Sequence, residues 1–413
     1  MSEFCFLATK LLIRKLPYQP EKENRVKMDE KKKKIEQYIR EKKDDLYRIR
    51  QELYEHPEIG LEEKMASKLL VDMLSKEGFS VIKGVYGLDT GFQAEYSSSK
   101  KGPTIGFICE YDALPEIGHA CGHNIIAAMS YGAACGLKSV LDEIGGRIVV
   151  FGTPDEECTS GKVNFVEGHA FDDVDVVIMC HPNTESEESG ATLGLGALQF
   201  EFHGVSAHVA MPKENCKNAL DALVMSYLNI NNLKQYYPEA NIYGIITNGG
   251  SRPNIIPDYA AMKYYVRAAT KQKLQEYIDK IVDCVRCTAQ ASGVSVTVTE
   301  VENRVENLIT NHTLADVFKN NYEFLSDFRL KKPNGYAATS DIGNVSNVVP
   351  TIHSWIGITH TDGLALHNLE FAKATMTDLA ADEMIIAAIA MAQTGLQVIC
   401  DPELLKKIKI EFN

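Results

Sequence analysis

The sequence predicts an α/β protein built on a mixed sheet and carrying an inserted ferredoxin-like βαββαβ domain, and three observations carry that prediction. Short apolar strands alternate with helical segments up to about residue 190, the texture of an α/β sheet. Over residues 191–304 the order becomes strand, helix, two strands, helix and strand, which is the split βαββαβ unit. Beyond about residue 305 the features again suit the first part, and 413 residues are too many for one compact core. The chain therefore divides into an extension at 1–28, a main domain in two parts at 29–190 and 305–413, and the insertion at 191–304.

From Asp29 to about Tyr54, Ile35, Tyr38, Ile39, Leu46, Ile49 and Leu53 recur at helical spacing among lysines and glutamates, and Pro57 stops the run. Lys31–Lys34 is then a solvated face of that helix. A second helix over roughly 61–77 ends at Gly78, and strands follow near 79–86, 91–96, 104–109, 147–152 and 175–180. Asn124 reads as the N-cap of an apolar helix. The insertion contributes strand Leu198–His203, a helix at about 215–235, strands at about 242–247 and 258–267, a helix at about 271–292 and strand Val294–Val301. Val348–Ile352 reads as a closing strand, and the apolar run at about 372–398 as a core helix. Residues 1–28 are basic and partly apolar without the order of a secretory signal. They read as a disordered extension, or as an over-long start with Met28 as the initiator.

Forty-three basic against 56 acidic side chains give a net charge of −13, which argues against a nucleic-acid backbone as the main partner. No apolar stretch approaches the roughly 20 residues that span a bilayer, so no membrane association is expected. Ten cysteines without a dense framework fit free thiols in a reducing, cytoplasmic setting.

The chemistry concentrates at strand ends. Between an apolar strand and an apolar helix, the segment Glu110-Tyr111-Asp112-Ala113-Leu114-Pro115-Glu116-Ile117-Gly118-His119-Ala120-Cys121-Gly122-His123-Asn124 holds ligand-type residues, and the pair Cys121 and His123 is typical of zinc. A buried cysteine beside a satisfied core histidine is the competing interpretation. A second apolar strand runs into Asp155-Glu156-Glu157, where one carboxylate can bind a metal while its neighbour stays free as a base. A third, Val176–Cys180, runs into His181-Pro182. Carboxyl ends of strands in an open sheet share one crevice, so the three coincide by chance far less often than any one alone. In the last segment His367 precedes a helix, with His353 and His360 as competitors that position does not separate. The insertion has its own marked histidine, His208, in His203-Gly204-Val205-Ser206-Ala207-His208-Val209-Ala210-Met211-Pro212.

Over about residues 45–405 the chain resembles the di-metal amidohydrolases and peptidases of the aminoacylase and glutamate-carboxypeptidase superfamily. Asp-Ala-Leu-Pro, His-Ala-Cys-Gly-His, Glu-Glu, His-Pro, Gly-x-x-Ala-His-x-x-x-Pro and Asn-Ile-Ile-Pro occur jointly and in order, similar to the amidohydrolase branch with its p-aminobenzoyl-glutamate hydrolases, N-acyl-amino-acid hydrolases and dipeptidases. The resemblance implies a metallopeptidase domain with an inserted dimerisation domain. It implies two divalent ions per subunit, zinc or manganese, held by Cys121, His123, Glu157, His181 and His367, with Cys121 as a bridge. It implies Glu156 as general base, Asp112 as the residue that orients a ligand, and His208 reaching the active site of a partner subunit in a homodimer. Asn254 and Arg267 resemble the pair that holds the substrate carboxylate. Two spellings depart from many relatives: Glu110-Tyr111-Asp112 replaces a His-x-Asp or Asp-x-Asp element, leaving the role of Glu110 open, and Asn124 stands where many amidohydrolases have Asp. Both spellings look most like the dipeptidases acting on Xaa-Arg and β-alanyl-lysine, so the expected reaction is hydrolysis of an amide bond in a dipeptide, with an N-acyl amino acid or p-aminobenzoyl-glutamate as the alternative substrate. A non-catalytic binding protein and a redox protein built on Cys284-x-x-Cys287 are the rival classes. The second is weakened because that pair sits within a helix rather than at an N-terminus that would lower a thiol pKa.

Overall fold

The computed structural model describes residues 20–208, 216–361 and 363–413. Its larger body is organised by a six-stranded sheet in the order β1 (Ser80–Lys83), β2 (Phe92–Ser97), β4 (Arg147–Thr153), β3 (Thr104–Glu110), β5 (Val176–Asn183) and β14 (Thr351–Gly357). The first two strands pair antiparallel and the last four run parallel, so the sheet is mixed. Every residue of β3 is buried, as its continuous apolar run demands of a strand covered on both faces. The last strand begins three residues later than the sequence suggests. Pro350 has no N–H to donate to a ladder, and pairing starts at Thr351↔Val177.

Helices α4 (His123–Ile144) and α11 (Asp378–Cys400) pack on this sheet and on one another, flanked by α1 (Pro20–Glu41), α2 (Lys43–Glu55) and α8 (His312–Leu325). The opening amphipathic run is two helices, parted at Lys42, whose φ and ψ of −90° and 8° break the helical path. Because α1 starts at Pro20, residues 20–28 are helical and only residues 1–19 of the expected extension lie outside the described residues. The run expected at about 372–398 is likewise interrupted, into α10 (Leu369–Ala374) and α11, by Thr377, whose side chain caps Ala380 N–H. By length and composition α11 could cross a membrane, but 83% of its apolar window is buried inside the protein, which makes it a core helix. Each fully buried Leu, Ile or Met on it contributes about 1.5–3 kcal/mol relative to exposure. The remaining elements of this body are α3 (Lys64–Lys76), α5 (Lys162–Glu167), α9 (Ile342–Ser346), α12 (Pro402–Phe412) and the short pair β6 (Ala191–Thr192) with β13 (Tyr336–Ala337).

A second hydrophobic core belongs to the inserted domain. It follows the expected order: β7 (Gly194–His203), α6 (Ala219–Leu233), β9 (Asn241–Asn248), β11 (Tyr259–Ala268), α7 (Lys271–Ala291) and β12 (Ser295–Glu300), with sheet order β12-β7-β11-β9, all antiparallel. Asn218 and Thr270 cap α6 and α7 through their side chains. A two-residue pair, β8 (Ala207–His208) with β10 (Ile255–Ile256), lies beyond the His203 end of β7. At the opposite end of β7, Leu195 exchanges backbone hydrogen bonds with Val305, where the chain returns to the larger body.

Candidate metal centre

The chain leaves β3 for β4 on one side and then crosses to β5 on the other. The carboxyl ends of these three strands therefore open a crevice where the strand order reverses. Gly122 ends the loop after β3 with φ at 90°, and a Cβ there would lie 2.4 Å from Pro182 Cγ, so only glycine meets both conditions. That turn makes His123 the first residue of α4, with Gly122 rather than Asn124 at the cap position. Asn124 Nδ2 is occupied elsewhere, donating to Arg50 O at 3.3 Å and Thr375 Oγ1 at 3.2 Å. His123 Nδ1–H points to Asp112, with Oδ1 and the backbone O both at 2.9 Å, and this fixes Nε2 toward the crevice.

After β4, Asp155 adopts a left-handed φ of 61°, an uncommon conformation for a side-chain-bearing residue. Its N–H donates to buried Glu63 Oε1 at 2.9 Å, and Gly60 passes so close that any Cβ would collide with the Asp155 carboxylate. This turn delivers Glu156 and Glu157, and Glu157 N–H donates to Asp112 Oδ2 at 3.0 Å. Within β5, His181 Nδ1–H donates to Pro182 O at 2.7 Å, leaving Nε2 3.5 Å from Cys121 Sγ. His367, at a left-handed φ of 63°, is tied by its N–H to Ala120 O at 2.9 Å and places Nε2 3.5 Å from Glu157 Oε1.

Three overlapping donor sets result, each with all its donor atoms within 4.8 Å of one another: Cys121, His123 and His181; Cys121, Glu157 and His367; His123, Glu156 and Glu157. Cys121 belongs to two of them. His123 Nε2 and Glu157 Oε1 are buried without a hydrogen-bond partner, although buried polar atoms are almost always paired. A bound cation answers both, and a thiolate, imidazole and carboxylate set fits zinc or manganese. Burial, with His353 and His123 nearby, keeps His181 neutral, the form that binds metals, and burial pushes the Cys121 thiol well above its usual value against the pull of His123. Burial also raises the Glu156 carboxyl well above the ordinary range, helped by Glu110, Asp341 and Glu157 and opposed by Lys162.

The other marked residues fall elsewhere. His353 is buried in β14 with its ring edge-on to His181 at 5.5 Å, whereas His360 is exposed and stacks on Phe328. His119 is buried within the loop after β3 and joins none of the donor sets. Asn254, just before β10, has its Nδ2 3.4 Å from Nε2 of His208 in β8, beyond the far end of β7. Arg267 lies at the opposite end of β11, opposite Leu195, eight residues or about 26 Å of strand from Tyr259. Within one chain, then, Asn254 and Arg267 are not brought together. Sequence reasoning missed Lys162 and Asp341, which meet near the glutamates; a lysine nine residues past a strand end carries no signal of burial.

Asp112→Asn isolates the orienting contact. An amide can accept from only one of the two N–H groups that the carboxylate serves. Metal affinity should fall about 10–100-fold, measured by competition with a chelator.

A crevice of parallel strand ends, lined by sulfur, imidazole and carboxylate donors with a further carboxylate alongside, is suited to hold metal ions. Residues 106–392 match peptidase family M20/M25/M40. The chain is 35% identical over 414 residues to a mouse (Mus musculus) Xaa-Arg dipeptidase, covering 96% of this chain and 95% of the relative. It is 29% identical to a p-aminobenzoyl-glutamate hydrolase component of Escherichia coli, covering 68% and 62%. A dinuclear-metal-binding peptidase of the same family from Bacillus subtilis superposes with a TM-score of 0.61 at 19% identity over 84% of this chain and 97% of that one. The protein belongs to peptidase family M20/M25/M40.

Proposed function

We propose that this protein is a dipeptidase that cleaves the amide bond before a basic C-terminal residue, using two divalent ions held by Cys121, His123, Glu157, His181 and His367. The observation that carries the reading is the 35% identity to an Xaa-Arg dipeptidase across nearly both chains, together with donor sets that overlap at Cys121. When bound, a pair of divalent ions supplies Lewis acidity and an acidified water. Glu156, half-buried beside Glu157, takes the water's proton and returns it to the leaving amine. Asp112 holds His123 in the tautomer that presents Nε2. Zinc and manganese both fit the donors, and the described cysteines, none of them in a disulfide, suit a cytoplasmic protein.

The remaining polar groups are supplied across a homodimer in this reading. His208 lies beyond the end of β7 that points away from the domain junction, so it serves the partner's crevice, and Asn254 travels with it. Arg267, near the junction, serves its own, and the two substrate-carboxylate residues meet only across subunits. Among the described residues β9 is an edge of its sheet with Ile246 exposed on it, and Val224, Met225 and Leu228 are exposed on α6 of the same domain. An unpaired edge flanked by apolar side chains is a surface that a second copy covers symmetrically.

A substrate panel tests the specificity. Dipeptides ending in Arg or Lys should be cleaved with kcat/KM at least about tenfold above dipeptides ending in Ala or Glu, a difference of about 1.4 kcal/mol in transition-state binding. Preference for p-aminobenzoyl-glutamate or an N-acyl amino acid would move the protein to the other branch.

A further inference from the structure

Behind the candidate ligands lies a cluster that the reaction described above leaves unused. Lys162 is completely buried, with Nζ 2.5 Å from Glu110 Oε1 and 2.6 Å from Asp341 Oδ1. Its own N–H donates to Asp341 Oδ2 at 2.9 Å, so Asp341 grips the lysine at two points. Burial works against the ammonium charge, but the Asp341, Glu110 and Glu156 carboxylates outweigh it and hold its pKa above the ordinary lysine value. Ions so placed are costly to desolvate, and removing one partner leaves an uncompensated charge.

Glu110 is the informative member. It is 1% exposed, and its second oxygen, Oε2, lies 3.5 Å from His123 Nε2, the nitrogen aimed at the candidate metal. Nevertheless none of the converging donor sets among the described residues contains it. Carboxylates bind zinc and manganese readily. A free carboxylate this close would compete for the coordination position that substrate and water must use. Lys162 Nζ ion-pairs with its other oxygen, while Asp341 holds Lys162 at both its Nζ and its backbone N–H.

We propose that Lys162 is a positioning residue that holds the Glu110 carboxylate off the metal and so keeps a coordination position open. This rests on the metal-centre reading, and the test separates the two. Cobalt(II) is loaded into the wild type, Glu110→Gln, Lys162→Met and the double variant. Visible absorption, cobalt release to a chelator, kcat and KM are then measured on each. Glu110→Gln, whose neutral amide no longer ion-pairs with Lys162 and binds metal poorly, should keep the wild-type spectrum and cobalt retention. Lys162→Met should free Glu110: absorption weakens as coordination rises, cobalt release slows, and kcat drops about 10–100-fold with KM little changed. The double variant should recover the wild-type spectrum and most of kcat, a recovery that a merely structural lysine would not produce. If Lys162→Met fails to fold because Asp341 is left unpaired, Lys162→Met/Asp341→Asn carries the same comparison. A changed spectrum or lost cobalt in Glu110→Gln alone would make Glu110 a ligand and overturn the proposal. So would a wild-type spectrum in the folded Lys162→Met protein, or no recovery in the double variant. A wild type that takes up no cobalt at all overturns the metal-centre reading, and the proposal with it.

Discussion

Glu156→Gln should lose about 10²–10⁴-fold in kcat, the usual contribution of a positioned general base, while metal content and thermal unfolding stay near wild type. Glutamine fills the same volume and leaves the Asp155 turn intact, because that turn is held by Glu63, Gly60 and Thr159 rather than by the Glu156 side chain. What disappears is the ability to accept a proton. Glu157 cannot substitute, since its Oε1 faces His123 Nε2 at 3.8 Å and His367 Nε2 at 3.5 Å. Assays for turnover and metal on one preparation decide the matter, and wild-type turnover would remove Glu156 from the mechanism.

His208→Ala should lose about 10²–10³-fold in kcat, the scale of a lost oxyanion donor, and the loss should be repairable by a second inactive protein. In a mixed dimer of His208→Ala with Glu156→Gln, one crevice combines an intact Glu156 with an intact His208 from the other chain, and the second crevice has neither. Random exchange of equal amounts gives mixed dimers in about half the population, so activity should return to about a quarter of wild type. Absence of recovery despite demonstrated exchange would place His208 outside the partner's site. The placement of His208 beyond the far end of a ten-residue strand motivates the expectation.

The parts of the fold that the sequence exposed are those written in hydrophobic periodicity. The buried strands of the main sheet and the βαββαβ order of the insertion stand within a few residues of expectation because their side chains face a core on schedule. Interruptions were not legible. Lys42 and Thr377 break helices whose apolar spacing continues across the break, and Gly122 moves a helix start by demands that arise from Pro182, 60 residues away. The candidate donors were legible because strand ends converge, whereas the Lys162–Asp341 contact joins residues 179 positions apart across the whole insertion. Nothing local announces such a pair. The choice among His353, His360 and His367 likewise needed geometry: of the three, only His367 joins a converging donor set, positioned by its N–H to Ala120 O.

The most direct measurement is a metal titration of the stripped protein followed by hydrolysis of an Xaa-Arg dipeptide. Turnover should vanish after chelation and rise with added zinc or manganese to a plateau at two ions per chain. Undiminished hydrolysis by fully stripped protein, or a metal-loaded protein inert toward every dipeptide, would contradict the metal-dependent dipeptidase reading.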